Sequence, residues 1–205
     1  MIAIIDYGMG NLHSVSKALE RMGHQYVITS DPQTIRRADG LILPGVGAFG
    51  DAMHELEARG LASLIKEMAL KEKPLLGICL GMQLLFTSSD EHGYHQGLNL
   101  LPGHVVQLAG DYNIPHMGWN WLSFKHPHPL FQGLEEGHVY FVHSFHVQAD
   151  NDEDVIGTTD YYQTVTAVVA RHQIYGMQFH PEKSGELGLQ LLNRFARLTK
   201  AKVGV

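Results

Sequence analysis

The sequence contains one cysteine, Cys79, which excludes an intramolecular disulfide and any multi-cysteine zinc or iron–sulfur site. Long apolar runs are absent too. The longest uncharged apolar-rich stretch, Pro74 to Ser89, is sixteen residues with Gln83 inside it, short of the ~18 that a membrane span requires. Basic residues are few: 15 Lys+Arg stand against 21 Asp+Glu, for a formal charge of −6, and the longest basic cluster is Arg36-Arg37. Nucleic-acid phosphates call for clustered Lys and Arg, so no nucleic-acid partner is expected. The opening Met1-Ile2-Ala3-Ile4-Ile5-Asp6 lacks a basic segment and is too short an apolar run for a secretory signal. With a lone thiol, this points to a reducing cytoplasm and no membrane.

What is present is the balance of a globular chain, 205 residues of which 44% are hydrophobic and 18% charged, the size of one domain spanning 1–205. Histidine is abundant, at 14. Imidazole is a common metal ligand, and His92/His95, His126/His128 and His143/His146 are candidate pairs. None has the His-Glu-x-x-His form, and His126-Pro127-His128-Pro129 reads as a proline-ruled loop. No metal is therefore expected, and most of the histidines are read as surface residues. If all protonated near ~6.5, the net charge would move from −6 to about +8, predicting a solubility minimum in mildly acidic buffer.

Apolar runs and helical patterns alternate over the first ninety residues. Ile2 to Asp6 reads as a buried strand running into a Gly8-Met9-Gly10 turn. Asn11 is a good N-cap, and Leu12, Val15, Leu19 and Met22 follow at helical spacing, with Gly23 as the stop. Tyr26 to Thr29 and Leu41 to Leu43 read as strands, and Asp51 to Met68 as a helix broken near Gly60. Leu75 to Cys79 is a fourth apolar run, followed by a helical pattern from Leu80 to Phe86. This rhythm predicts an α/β fold with a mostly parallel, doubly wound sheet. From His104 onward helices are scarce, and Val105–Leu108, Gly118–Phe124, Val139–Val142, Val155–Thr159, Thr166–Arg171 and Ile174–Phe179 read as strands, some of them antiparallel additions. A final helix, Gly185 to Thr199, carries an apolar stripe of Leu187, Leu191, Phe195 and Leu198.

Three features carry chemistry. Gly77-Ile78-Cys79-Leu80-Gly81 lies at a strand-to-helix junction, the context of a nucleophile elbow. Its glycines remove the Cβ atoms that would collide in so tight a turn, and the turn sets the sulfur at the positive end of the following helix, which favours thiolate. A lone cysteine is more often a buried structural residue, but that reading leaves the flanking glycines unexplained. His180-Pro181-Glu182 follows another strand at its carboxyl end. A thiolate nucleophile needs a base to carry its proton, and the base needs an acceptor to hold its tautomer. Pro44-Gly45-Val46-Gly47, at a third strand end, can present backbone N–H groups to an oxyanion or be a plain turn. No Gly-Lys-[Ser/Thr] follows it, so a phosphate loop is excluded.

Together, Asp6-Tyr7-Gly8-Met9-Gly10-Asn11, Leu43 to Phe49, Gly77 to Gln83, His116-Met117-Gly118-Trp119-Asn120, Tyr140 to Phe145 and Gln178 to Ser184 resemble the class I (triad-type) glutamine amidotransferases, with a flavodoxin-like fold. The opening, the Met-Gly-Trp-Asn block and the Tyr-Phe-Val-His block resemble in particular the ammonia-supplying subunits of histidine biosynthesis. The resemblance implies Cys79 as nucleophile on the glutamine amide, His180 as proton shuttle and Glu182 as its orienter. It implies an oxyanion site made by the N–H of Leu80 and one turned inward from Gly45-Val46-Gly47. Glutamine would be held by Gln83, Glu91 and the Ser144-Phe145 backbone; Phe145 stands where the family usually has Tyr, so no phenolic hydroxyl can act there. No cofactor is implied. The family's partner is a (βα)8-barrel cyclase, in a heterodimer, and Met9, Gly10, Asn11, His116, Met117, Trp119, Asn120 and Tyr140 are the candidate interface, with Trp121 read as core. Rival readings are a free-standing cysteine hydrolase, a non-catalytic relative of the same fold, or the subunit of a different amidotransferase.

Overall fold

The computed structural model describes residues 1–110 and 113–200. The chain runs β1 (Ile2–Ile5), α1 (Leu12–Arg21), β2 (Tyr26–Thr29), α2 (Pro32–Arg37), β3 (Gly40–Gly45), α3 (Phe49–Ala58), α4 (Leu61–Leu70), β4 (Leu75–Cys79) and α5 (Leu80–Leu84). It continues through β5 (Phe86–Ser89), β6 (His95–Gln96), β7 (Leu101–Gln107), β8 (His116–Phe124), β9 (Gly137–His143), β10 (Phe145–Ala149), β11 (Val155–Asp160), β12 (Thr164–Arg171), β13 (Ile174–Met177) and α6 (Gly185–Lys200).

The early strands are unbroken apolar runs because both of their faces are covered. On one face of β1, Ile2 and Ile4 meet Val15 and Leu19 of α1 and Leu191, Leu192 and Phe195 of α6. On the other, Ala3 and Ile5 join Met53 and Leu56 of α3 and Leu64 and Ile65 of α4. Neighbouring strands repeat the alternation, with Leu41 and Leu43 on the second face and Ile42 on the first. Each such large aliphatic side chain taken fully from water contributes about 1.5–3 kcal/mol, which is what holds helices to both sides.

Nine strands form the main sheet in the order β2-β1-β3-β4-β13-β12-β11-β8-β9. The first five are mutually parallel, and the order 2-1-3-4 followed by a fifth strand is that of flavodoxin-like folds. The remaining four are antiparallel additions, as the β-rich second half of the sequence predicts. A separate four-stranded sheet, β10-β7-β5-β6, covers one flank.

Several elements differ from the sequence reading. α2 begins where Asp31 accepts from the N–H of Thr34 at 2.7 Å and Pro32 takes the first helical position, so Arg36-Arg37 is simply the end of a short helix. The helix after Cys79 stops at Leu84, not Phe86; Phe86 begins a strand paired with Leu101. The buried face of α6 is Gly188, Leu191, Leu192, Phe195, Ala196 and Thr199, which leaves Leu187 and Leu198 on its margins. Trp121, read as core, is 45% exposed on β8, with its indole N–H donating to Glu136. Among the described residues, no helix is long and apolar enough to cross a membrane.

Candidate active site

Parallel register brings three strand ends to one edge: Gly45 lies opposite Cys79 and Met177 opposite Ile78. The crevice beyond the carboxyl ends of such strands is where open α/β sheets build sites. Cys79 occupies a backbone conformation of φ 55° and ψ −116°, costly for a residue with a side chain. The flanking glycines explain how the elbow closes. A Cβ on Gly77 would lie 2.5 Å from the carbonyl oxygen of Gly81, and one on Gly81 would lie 1.8 Å from that of Leu43. The elbow thus folds onto its own strand and onto β3, and only hydrogen atoms fit. α5 has five residues, so its dipole is slight; the positive group facing the sulfur is His180.

His180 is 3% exposed and its side chain hydrogen-bonds Cys79 and Glu182. Its Nδ1 lies 2.9 Å from Glu182 Oε1, which leaves Nε2 for the sulfur. Burial opposes the imidazolium, but these two hydrogen bonds and the attraction of both acids outweigh it and raise the pKa to about 9. The loop is braced: Ser184 Oγ donates to the carbonyl of His180 at 2.6 Å and accepts from Tyr140 N–H at 2.9 Å. The Glu182 carboxylate is buried with its second oxygen, Oε2, unpartnered. Behind the cysteine, Tyr7 donates to Pro44 O at 2.8 Å; burial, with Cys79 nearby, raises its pKa.

Cys79, Leu80 and His180 open onto a cavity of 390 Å³ that also meets Val46, Gly47, Gln83, Glu91, Ser144 and Phe145. Residues from five separate stretches of sequence thus converge on one cavity. Gly45 does not reach the cavity. It is buried, and a Cβ there would lie 2.8 Å from both the Gly81 nitrogen and the Tyr7 hydroxyl, so its role is close packing of β3 on the elbow. Gly47 has φ +99°, and Val46 is 44% exposed. Glu91 reaches back to accept from Phe49 N–H at 2.8 Å, supplying the cap that Ala48 cannot give α3.

Three residues without an assigned role in the sequence reading join the site. Gln178 is fully buried; its Nε2 lies 3.9 Å from Cys79 Sγ, and its Oε1 accepts from Gln83 Nε2 at 3.0 Å. Val142 supplies a carbonyl 3.9 Å from the sulfur, and His143 lines the cavity. Alternation along β13 and into Gln178 was the available signal, since Met177 and Phe179 face one side of the sheet and Gln178 the other.

Of the candidate interface residues, Met117 and Trp119 are 62% and 57% exposed, and Trp119 sits edge-on to Tyr140. Met9 lies over Gly47, Gly10 against Pro44, and Asn11 caps α1 by accepting from Ser14 N–H at 3.4 Å. His116 is a correction. It is 2% exposed, stacked between Phe141 and Tyr161, because the period-two alternation of β8 turns it away from Met117 and Trp119. The histidines as a group are divided: His24, His116, His143, His146 and His180 are buried. Among the described residues, no three His, Cys, Asp or Glu side chains gather closely enough to hold a metal ion.

The chain matches the family "Glutamine amidotransferase class-I" over residues 3–198. It is 55% identical over 208 residues to "Imidazole glycerol phosphate synthase subunit HisH" of Geobacillus sp. (strain WCH70), covering 98% of this chain and 99% of that one. The protein of the same description from Halalkalibacterium halodurans is 53% identical, covering 99% and 98%. In three dimensions it is similar to the structure of PurLQS from Thermotoga maritima, with a TM-score of 0.73 at 22% identity, covering 96% and 97% of the two chains.

Proposed function

The chain belongs to the class-I glutamine amidotransferases, as a glutaminase subunit of imidazole glycerol phosphate synthase in histidine biosynthesis, and we propose that Cys79, His180 and Glu182 carry the hydrolysis. The observation that supports this most is the strained Cys79 facing an imidazole whose far nitrogen is 2.9 Å from a buried carboxylate. Cys79 Sγ attacks the side-chain amide carbon of glutamine, and the carbonyl becomes an oxyanion. The Leu80 N–H and one from Val46 or Gly47 hold that oxyanion, with Gly45 fixing the strand behind them. His180 delivers its proton to the departing amine, which leaves as ammonia, and a γ-glutamyl thioester remains. Water, deprotonated by the same imidazole, then cleaves the thioester to glutamate and restores the thiol. Glu182 holds the imidazole in the required tautomer throughout. No step calls for a cofactor or metal.

Gln83, Glu91 and the Ser144-Phe145 backbone form the glutamine-binding wall, since all four line the cavity at Cys79. Free ammonia protonates in neutral water and ceases to be a nucleophile, so a synthetic glutaminase is best kept silent until an acceptor is ready. The acceptor enzyme is a (βα)8-barrel cyclase that forms a heterodimer with this chain and uses the ammonia to make imidazole glycerol phosphate and aminoimidazole carboxamide ribotide. The exposed Met117 and Trp119, with the half-buried Tyr140 whose carbonyl accepts from His180 N–H, suit that contact. The complex works in the cytoplasm as one glutaminase domain, residues 1–205, on one cyclase. Incubation with 6-diazo-5-oxonorleucine, a glutamine-like electrophile, tests the site: one adduct at Cys79, blocked by excess glutamine, is expected. Labelling elsewhere, or labelling that glutamine leaves unchanged, would refute it.

A further inference from the structure

Behind the cavity runs a chain of hydrogen bonds whose direction is fixed by counting donors. The carbonyl of Phe145 can only accept, so His143 Nδ1, 2.9 Å away, carries a hydrogen. At the other end, the N–H of Trp121 donates to Asn120 Oδ1 at 2.8 Å, which orients that amide. Asn120 Nδ2 then faces the carbonyl of Asp160 at 2.7 Å and His116 Nε2 at 3.2 Å, so His116 Nε2 is an acceptor. The hydrogen of His116 is therefore on Nδ1, 2.9 Å from His143 Nε2, which accepts it. A charged ring at either position would set two N–H groups against each other somewhere in the chain. Both rings are buried, and burial lowers the pKa of His116 to about 4 and that of His143 to about 3, the latter against its bond to Phe145 and with help from neighbouring His116, His146 and His180.

The chain ends on a group that matters for substrate. The same Phe145 carbonyl accepts from Gln83 Nε2 at 2.9 Å, and the second hydrogen of that nitrogen goes to Gln178 Oε1. With both amide hydrogens committed, what Gln83 retains for a ligand is its acceptor Oε1.

We propose that His116 and His143 are positioning residues for the glutaminase reaction: an ordered chain of two neutral imidazoles, anchored on Asn120 in β8, that fixes the Phe145 carbonyl and through it the acceptor face of Gln83 toward glutamine. This rests on the Cys79 cavity being the glutamine site. It also gives β8, whose opposite face presents Met117 and Trp119, a direct hydrogen-bonded connection to the substrate wall. Neither imidazole touches the reacting atoms, so the effect belongs in substrate binding more than in chemistry.

The experiment compares His116→Phe with His116→Asn in the complex with the cyclase subunit. Phenylalanine keeps the stacked shape and donates nothing; the Asn side chain can place an N–H where His116 Nδ1 stands. The expected result is a KM for glutamine raised about tenfold in His116→Phe with kcat changed less than threefold, and most of that rise reversed in His116→Asn. An unchanged KM in His116→Phe, or equal impairment in both variants, would overturn the proposal. Should a variant fail to fold, nitrogen-15 imidazole spectra of the wild-type protein decide: both rings are expected as neutral Nδ1–H tautomers at pH 7, and an Nε2–H tautomer or a charged ring at either position overturns it. Absence of glutamine turnover in the wild-type complex would instead sink the functional reading, and the purpose of the chain with it.

Discussion

Gly81 lies directly beneath the carbonyl of Leu43, where a Cβ would be 1.8 Å from the oxygen. The nucleophile elbow and the strand that leads to the oxyanion loop are thus in backbone contact, with no side chain between them. Gly81→Ala has nowhere to go without parting β3 from α5. The expected outcome is a loss of more than about 3 kcal/mol in urea unfolding, or failure to fold. A variant that unfolds at the wild-type urea concentration would show that the contact is not as tight as described.

How much of this was legible in the sequence depended on how local the signal was. The elbow was readable because strand, turn, glycines and nucleophile fall within Gly77 to Gly81. The parallel core was readable because strands buried on both faces are apolar throughout. The second sheet was not: Phe86–Ser89 and His95–Gln96, which pair with each other, are too short for a period to show, and β7 takes its other partner, β10, from a distance in sequence. His116 and Trp121 take the opposite environments from those expected, for a reason that β8 itself carries. Period two along β8 puts Met117, Trp119 and Trp121 on one face and His116 on the other. Exposure of Trp119 therefore entails exposure of Trp121 and burial of His116.

His180 is expected to titrate near pH 9, against an ordinary 6.5, in a proton NMR titration. Glu182→Gln removes one of the acids that offset burial, so the midpoint should fall. The sign for stability follows from linkage: a raised folded-state pKa gives stabilisation fully present below pH 6.5 and lost as pH rises through about 9. A midpoint in Glu182→Gln equal to the wild type would separate the carboxylate from the imidazole.

On the acid side the sign reverses. Burial lowers the pKa values of His116, His128, His143 and His146, with His116 near 4 and His143 near 3. For His116 and His143 the stabilisation is complete above pH 6.5 and is lost as pH falls toward those values, at up to roughly 1.4 kcal/mol per pH unit for each ring. Urea unfolding at pH 7 and pH 5 should show a marked loss at the lower pH, and equal stabilities would contradict it. His116 and His143 also stay neutral in mildly acidic buffer, so the native protein does not reach the full positive charge that fourteen free histidines would give.

Trp119→Ala removes an exposed indole from β8 and leaves the buried His116 and Leu122 in place. Affinity for the cyclase should fall about 30-fold or more, the scale of an aromatic anchor, while thermal unfolding of the isolated chain shifts little. Unchanged affinity would move the interface away from this face.

Glutamate release from glutamine, measured for the chain alone and with the barrel cyclase and its ribonucleotide ligand, tests the account most directly. Near silence alone, a large rise in the complex, and a loss of at least about a thousandfold in Cys79→Ala under the same conditions are predicted. Equal activity with and without the cyclase, or a Cys79→Ala complex that still releases glutamate at the wild-type rate, would contradict it.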